Sequence, residues 1–264
     1  MADHYELTVS QAAQQIKDKN LSPVDLARSL LDRIEATDKD LRAWVTIDQE
    51  EVLSTAKERD EEARQGKSRG LLHGVPVGLK DIFYTAGMKT AAGSKVYADF
   101  VPDFDATTVT KIKEAGGIIL GKAVTTEFAT SDPSPTYNPW NFEHTPGGSS
   151  SGSSVAVASR TVGAALGSQT GGSTCRPAAY NGIVGLKATY GRISRYGVVP
   201  VSWSLDHVGI LVRTVEDAAL MLQVMAGEDP NDPGSDSEPV QEFMKQMSEQ
   251  NRAPRSGTVS PSDQ

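Results

Sequence analysis

Two short turns, each with the sequence Gly-Gly-Ser, contain the residue types of this chain best suited to chemistry, at 147–149 and 171–173. Glycine allows backbone N–H groups to converge on one point, and serine brings a hydroxyl group to that point. No Asp or Glu occurs between His144 and Leu205, although the whole chain carries a net charge of −8. Because carboxylates are missing there, the region attracts developing negative charge. The pattern predicts a hydrolytic site built from serine.

One candidate for the nucleophile is Ser150, at the centre of a G-x-S-x-G match over residues 148–152. This motif forms the nucleophile elbow of α/β-hydrolases, which also need an acid and then a histidine downstream. No acid lies between Ser150 and Leu205, and the one later histidine, His207, directly follows Asp206. Adjacent residues are badly placed for the acid–histidine contact of such a triad. We therefore do not assign Ser150 as the nucleophile.

A second motif, Gly116-x4-Gly121-Lys122, resembles a phosphate-binding P-loop. Ala123 stands where that motif needs the Ser or Thr that binds magnesium. The segment also follows a predicted helix and contains the predicted strand, which is the reverse of the required order. We interpret it as a core strand bounded by glycines.

Without a histidine, another group must activate the serine, and Lys80 is the best candidate. It ends the apolar run at 74–79, so its amine is expected at the edge of a buried strand. Removal from water lowers the pKa of a lysine and makes the neutral, proton-accepting amine accessible near pH 7. A lone lysine at a strand end is most often a surface residue, so this assignment depends on the two serine turns.

Three segments in fixed order resemble the amidase signature family. They are GVPVGLKD at 74–81, PGGSSSGS at 146–153 and GSQTGGSTCRPAAYNGIVGLKATYGRIS at 167–194. The likeness runs from about residue 8 to 227 and includes the weaker SLDHVGILVRTVEDAALML at 204–222. The resemblance implies an α/β fold that hydrolyses amides through a Ser–cis-Ser–Lys triad.

Carried onto this sequence, the resemblance assigns each member of the triad to one residue. Ser173 is the nucleophile, Ser149 is the relay that follows a cis peptide bond, and Lys80 is the base. Neutral Lys80 would accept a proton from Ser149, which would take one from Ser173 as it attacks the carbonyl carbon. The expected oxyanion hole consists of backbone N–H groups of the second turn: Thr170, Gly171, Gly172 and Ser173.

Two departures from the usual family pattern bear on the subclass. Many members read D-T-G-G-S-I-R, whereas this chain has Gln169 in place of the acid and Arg176 one residue later than usual. The variant is similar to free-standing amidases that hold a substrate carboxylate with this arginine. Two interpretations of Arg176 therefore stay open: it binds an anionic group of the substrate, or it ties down neighbouring loops.

The resemblance implies an amidase that converts a small carboxamide to a carboxylate and ammonia or an amine through an acyl-enzyme, with no metal and no cofactor. One alternative is the glutaminase subunit of a tRNA-dependent amidotransferase, which works only within a complex. Another is a truncated, inactive amidase fragment, since family members are usually much longer. The expected partner is the amide substrate, with tRNA only in the amidotransferase alternative. A homodimer stays open.

Composition bounds the class of protein. Hydrophobic residues make up 38% and charged residues 23%, as in ordinary soluble proteins. There is no stripe dense in Lys and Arg, which argues against nucleic acid as the main ligand. Cys175 is the only cysteine, so a reducing compartment is expected, and we interpret its thiol as small and packed. No signal segment or membrane-length apolar run occurs, so we expect a cytoplasmic protein.

The elements that must position these residues are short apolar strands alternating with helices, which predicts an α/β fold with a parallel or mixed sheet flanked by helices. The resemblance implies a core that lacks the C-terminal part of the usual fold. We assign one domain to 1–227, with N-terminal helices at 8–66 and the catalytic core at 71–227, and a polar, disordered tail to 228–264. Predicted strands span 43–47, 75–79, 118–120, 164–166 and 183–186, and predicted helices include 49–65, 106–114, 151–160 and 214–225.

Overall fold

The computed structural model describes residues 3–249. Within them, the α-helices are α1 Val9–Lys17, α2 Pro23–Leu41, α3 Gln49–Arg64, α4 Thr107–Glu114, α5 Ser151–Ala158, α6 Cys175–Asn181, α7 Val215–Met225 and α8 Phe243–Glu249. The strands are β1 Trp44–Thr46, β2 Pro76–Lys80, β3 Ile118–Ala123, β4 Ala164–Gln169, β5 Val184–Lys187 and β6 His207–Val212. Short 3-10 turns lie at His4–Glu6, Lys95–Tyr97 and Glu127–Ala129.

The six strands form one mixed sheet in the order β1-β3-β2-β4-β6-β5. The central strand, β2, runs parallel to both of its neighbours, β3 and β4. The pairs β1–β3, β4–β6 and β5–β6 are antiparallel. Every residue of β2 is buried, which explains why its sequence is an apolar run without alternation. The predicted α/β fold with a mixed sheet flanked by helices is confirmed.

Helix ends follow the capping chemistry of the sequence. Ser22 caps α2 by accepting a hydrogen bond from the N–H of Val24, and a proline occupies the first turn. Thr214 caps α7 by accepting from the N–H of Asp217. In α5 the close packing depends on Gly152, because a Cβ atom there would lie 2.3 Å from the carbonyl oxygen of Ala43. Helices α5 and α7 therefore begin within one residue of the predicted starts at 151 and 214.

Strand β6 was not predicted, although it is the fifth strand in the sheet order. Its sequence, HVGILV, has no alternation of polar and apolar residues and lies next to the start of α7. It pairs with β4 along its whole length, from Ala164↔Val212 to Gln169↔His207. A partner about 40 residues away in the chain therefore determines this strand.

The polar segment after residue 227 differs from the predicted disordered tail over residues 228–249. Asp229 accepts hydrogen bonds from the hydroxyls of Thr107 and Ser194, and Asp232 forms an ion pair with Arg195 at 2.7 Å. Helix α8 packs on α7. Composition predicts that these acidic residues are exposed to solvent, but in the structure they accept hydrogen bonds from residues of the folded core. Residues 250–264 of the predicted tail lie outside the described residues. None of the described helices combines the length and apolarity that a membrane crossing requires.

Candidate active site

Lys80 ends the central strand β2 with its side chain wholly inside the protein. Its Nζ atom lies 2.7 Å from Ser149 Oγ and 2.8 Å from Ser168 Oγ. Burial lowers the pKa of Lys80 from 10.5 to about 7, and the negative charge of Asp206 opposes this shift. A neutral amine, able to accept a proton, is therefore available near neutral pH.

Ser149 lies in the first Gly-Gly-Ser turn, just before α5, and is 1% exposed. The peptide bond between Gly148 and Ser149 is cis, as the resemblance implies. The Ser149 hydroxyl faces Lys80, and its carbonyl oxygen accepts a bond from the N–H of Thr126. The structure thus brings together two of the three residues that the resemblance assigns to the triad.

Ser173 lies in the second turn, between β4 and α6, and is only partly buried. Its carbonyl oxygen accepts a hydrogen bond from the N–H of Ser150 at 3.3 Å, which joins the two turns. Within residues 3–249 the Ser173 hydroxyl has no hydrogen-bond partner, so the Ser149–Ser173 contact of the triad is not made in this structure. Such contacts are often long before a substrate binds.

The second turn leaves backbone donors unused. In the described part of the chain, the N–H groups of Gly171, Gly172 and Ser173 donate to no protein acceptor. A Cβ atom at Gly171 would meet nothing within 4 Å, and one at Gly172 would meet only the Arg176 side chain at 3.7 Å. The protein's own packing therefore does not require these glycines, and they leave room for a ligand beside free donors.

Gln169, at the end of β4, holds the turn in shape. Its Oε1 atom accepts hydrogen bonds from the N–H groups of Thr174 and Cys175, each at 2.9 Å. Gln169, which replaces the acid of the usual family pattern, is thus buried and uncharged, and it binds the backbone at the start of α6. Thr170 comes next, and its hydroxyl lies 2.5 Å from Asp206 Oδ1.

Arg176, on α6, donates from Nη2 and Nε to the carbonyl oxygen of Gly148, at 2.8 and 3.3 Å. It therefore ties the second turn to the first, as one of its two interpretations predicts. Its guanidinium group stays exposed, so binding of a substrate carboxylate remains a proposal.

Cys175 is exposed, and the prediction of a packed thiol is wrong. Its Sγ atom lies 3.9 Å from the carbonyl oxygen of Gly185. Cys175 is the first residue of the short helix α6, and the buried face of that helix is formed by other residues: Pro177, Ala178 and Asn181.

The two motifs set aside in the sequence have structural roles. The hydroxyl of Ser150 is buried and bonds the backbone of Ser168. The P-loop-like segment forms β3, and Lys122 is buried against Thr90, the carbonyl oxygen of Phe83 and the Asp81 carboxylate. No group of three or more His, Cys, Asp or Glu within residues 3–249 is arranged to hold a metal ion.

Sequence reasoning missed two residues near Lys80. Ser168 is the second hydroxyl bonded to its amine, and Asp206 is the acid whose charge acts on it. Asp206 carried a signal, since it ends the stretch free of acids. In the sequence it was considered only beside His207, as an acid badly placed for a triad, whereas the structure directs its carboxylate to Thr170.

Comparison with known proteins extends the resemblance. The family model Amidase matches residues 25–262. The A subunit of the glutamyl-tRNA(Gln) amidotransferase from Geobacter metallireducens is 47% identical over 247 residues, which are 91% of this chain and 51% of that protein. The solved native peptide amidase from Stenotrophomonas maltophilia is 37% identical with a TM-score of 0.86, covering 92% of this chain and 53% of the other.

A second solved structure, the A subunit of the glutamyl-tRNA(Gln) amidotransferase from Thermotoga maritima, has a TM-score of 0.76 at 34% identity. The match covers 90% of this chain and 51% of that one. The chain thus spans about half the length of the relatives it matches. The family match and these identities together mean that this chain belongs to the amidase signature family.

Proposed function

We propose that this chain carries the amide-cleaving centre of an amidase-family enzyme, with Ser173 as nucleophile, Ser149 as relay and Lys80 as base. The observation that carries the proposal is the 2.7 Å hydrogen bond between Lys80 Nζ and Ser149 Oγ in a fully buried setting. Within residues 3–249 Lys80 forms no ion pair, and burial lowers its pKa to about 7, so a large share of the amine is neutral near neutral pH. A lysine in this state suits proton transfer.

The reaction begins when Ser173 Oγ attacks the carbonyl carbon of a carboxamide. Its proton passes to Ser149 Oγ as the proton of Ser149 passes to Lys80 Nζ. The negative charge formed on the carbonyl oxygen is bound by the free N–H groups of Gly171, Gly172 and Ser173. When the tetrahedral intermediate collapses, the C–N bond breaks and the leaving nitrogen receives the proton back through Ser149. Water then cleaves the acyl-enzyme by the same route.

The relatives support the amidotransferase alternative better than the free-standing amidase predicted from the sequence. Curated relatives at 46–47% identity carry the name of the A subunit of glutamyl-tRNA(Gln) amidotransferase. In this form of the proposal, the amide cleaved is that of glutamine and the ammonia serves a tRNA-dependent complex. A free-standing amidase is the second candidate, favoured by Gln169 and by the position of Arg176, and by solved peptide amidases at 36–37% identity.

A fluorophosphonate probe tests the centre directly, because it reacts covalently with an activated serine. We expect labelling of Ser173 in the wild-type chain, and none in Ser173→Ala or Lys80→Met. The matched control is Ser151→Ala, since the buried Ser151 hydroxyl in the same segment has no hydrogen-bond partner among the described residues. Equal loss of labelling in Ser151→Ala, or no labelling of folded wild-type chain, would contradict the proposal, the latter in favour of an inactive fragment.

Ammonia release separates the two forms of the enzyme. Release from simple carboxamides or peptide amides by the chain alone supports a free-standing amidase. Release from glutamine only when the remaining components of an amidotransferase and glutamyl-tRNA are added supports the amidotransferase. Ser173→Ala serves as the blank in both assays.

A further inference from the structure

The carboxylate of Asp206 accepts three hydrogen bonds at the rim of the site. Its Oδ1 atom lies 2.5 Å from the hydroxyl oxygen of Thr170. Its Oδ2 atom accepts from the N–H groups of Val201 and Ser202, at 2.7 and 2.8 Å. The N–H of Asp206 in turn donates to the carbonyl oxygen of Ser202. The short loop 201–206 is therefore held together by hydrogen bonds to both the backbone and the carboxylate of Asp206.

This carboxylate stands at one end of the β4–β6 ladder. The last backbone pair of that ladder is Gln169↔His207. Thr170 and Asp206 are the next residues outward on the two chains, and their side chains join where the backbone pairing stops. Thr170 is also the first residue of the turn that leads to Ser173. The bond therefore fixes the point at which this turn leaves the sheet.

Other charged groups near Lys80 belong to different contacts. On β3, Lys122 is the register partner of Leu79, so by strand alternation it lies on the opposite face of the sheet from Lys80. Asp81, which follows β2, forms an ion pair with Lys122 at 3.7 Å and accepts a backbone bond from the loop after it. These two charges largely neutralise each other.

Other charges near the Lys80 face of the sheet have partners of their own. Arg195 lines a cavity with Ser168 and Asp206, and it forms an ion pair with Asp232 at 2.7 Å. Strand β4 and the first turn contribute the uncharged Ser168 and Ser149. Arg176 is bonded to a carbonyl oxygen of the first turn, and His207 bonds within its own loop through Nδ1. Among the described residues, Asp206 supplies the charge that acts on the Lys80 amine and favours its protonated form.

We propose that Asp206 is a positioning residue for the amide-cleaving centre: its carboxylate anchors the turn at 170–173 through the Thr170 hydroxyl and places a negative charge in the cavity that Ser168, the hydrogen-bond partner of Lys80, also lines. The inference rests on the proposed function and adds a residue to it. The anchor and the charge are separable, because Asp206→Asn keeps an acceptor oxygen but removes the charge, whereas Thr170→Val removes the anchor but keeps the charge. Thr170→Ser keeps both and is the conservative control.

The test combines two readouts on the full chain. The first is the NMR titration of ε-¹³C-labelled lysine, with the Lys80 signal assigned by its absence from Lys80→Met. The second is the rate of fluorophosphonate labelling as a function of pH. In Asp206→Asn we expect both midpoints to move down by roughly half to one pH unit. In Thr170→Val we expect about tenfold slower labelling with unchanged midpoints, and Thr170→Ser should recover most of the rate that Thr170→Val loses.

The two roles of Asp206 can be overturned separately. An unchanged Lys80 midpoint in Asp206→Asn overturns the electrostatic role, and wild-type labelling by Thr170→Val overturns the anchor. Equal loss of melting temperature and of labelling in both variants, without a shift of either midpoint, means that Asp206 only stabilises its loop. If the wild-type chain is not labelled but the Lys80 midpoint still moves in Asp206→Asn, the proposed function fails while the coupling of Asp206 to Lys80 holds.

Discussion

Arg176 donates two hydrogen bonds to the carbonyl oxygen of Gly148, the residue that precedes Ser149 across the cis peptide bond. A second link joins the N–H of Ser150 to the carbonyl oxygen of Ser173. The two Gly-Gly-Ser turns, separated by a helix and a strand in the chain, are therefore bonded directly to each other. A change in the backbone position of one turn should therefore shift the other turn.

Replacing Arg176 tests whether this link matters for the reaction. We expect Arg176→Ala to be labelled by an uncharged fluorophosphonate about tenfold more slowly, equivalent to about 1.4 kcal/mol, because the first turn loses its restraint. Arg176→Lys should recover only part of the rate, since a compact ammonium group lacks the planar, fixed pair of donors of a guanidinium group. If labelling is unchanged while KM rises only for amides that carry a carboxylate, Arg176 binds substrate instead.

Activity should depend on the protonation of Lys80. The pKa of Lys80 is lowered by burial to about 7, so the fraction of neutral base increases as pH rises through that value. We expect kcat/KM, and the rate of probe labelling, to increase from pH 6 to 8 and then level off. A profile that is flat over this range would contradict the assignment of Lys80 as the base.

Burial of Lys80 should also cost stability in a pH-dependent way. Below pH 7 the lysine is protonated in both the folded and the unfolded chain, so the full cost of burying its charge is present. Between about 7 and 10.5 only the unfolded chain keeps the proton, so the wild type gains stability as pH rises.

The comparison with Lys80→Met isolates this effect, because other titrating groups cancel in the difference. The stability advantage of Lys80→Met should shrink by roughly 1.4 kcal/mol per pH unit above pH 7. Urea unfolding at pH 6.5, 8 and 9.5 measures it. A difference that is constant across these values would mean that the pKa of Lys80 is not lowered in the folded chain.

The glycines of the second turn should affect rate without affecting stability. At Gly171 a Cβ atom meets no protein atom within 4 Å and the residue has no positive φ, so Gly171→Ala should keep the melting temperature. It should slow labelling of Ser173 by tenfold or more, because the added methyl group occupies the space beside the free donors. The control is Gly209→Ala, whose Cβ would lie 2.0 Å from Thr174 Oγ1 and should lower the melting temperature.

The buried pair Asp81–Lys122 should contribute to folding and not to the reaction directly. Burial raises the pKa of Asp81 to about 6 and lowers that of Lys122 to about 8. We expect Lys122→Met alone to cost about 3–5 kcal/mol, since it leaves an uncompensated buried acid. The double variant Asp81→Asn/Lys122→Met should cost less than the sum of the single variants. Additive costs in urea unfolding would show that the two residues are not coupled.

Sequence analysis predicted the part of the site that depends on local chemistry. The apolar run ending at Lys80 predicted a buried strand, whereas the contact between Lys80 and Ser149 was implied by the family resemblance. Ser168 was missed because its role depends on β4 lying beside β2, which is a tertiary contact. The exposure of Cys175 was mispredicted because it depends on the rotational position of a seven-residue helix on the sheet.

The errors in the predicted fold also concern features that depend on tertiary contacts. Strand β6 has no alternating pattern, and its pairing with β4 is decided by packing. The acidic residues Asp229 and Asp232 look like parts of a solvated tail until Ser194 and Arg195 are placed beside them. Composition reports the average environment of a segment, whereas a few specific donors are enough to order it.

Complete burial of Lys80 has a consequence for the fate of the transferred proton. A base without any exposed surface cannot exchange its proton with bulk water directly. Among the described residues, the hydrogen-bond partners of Lys80 are the hydroxyls of Ser149 and Ser168. Ser173, at the other end of the route, is the member that solvent and substrate can reach. In the proposed reaction, the proton taken from the nucleophile is therefore stored on Lys80 inside the protein and returned to the leaving nitrogen through the Ser149 hydroxyl. The leaving nitrogen would depart with hydrogen supplied by the enzyme rather than by the surrounding water.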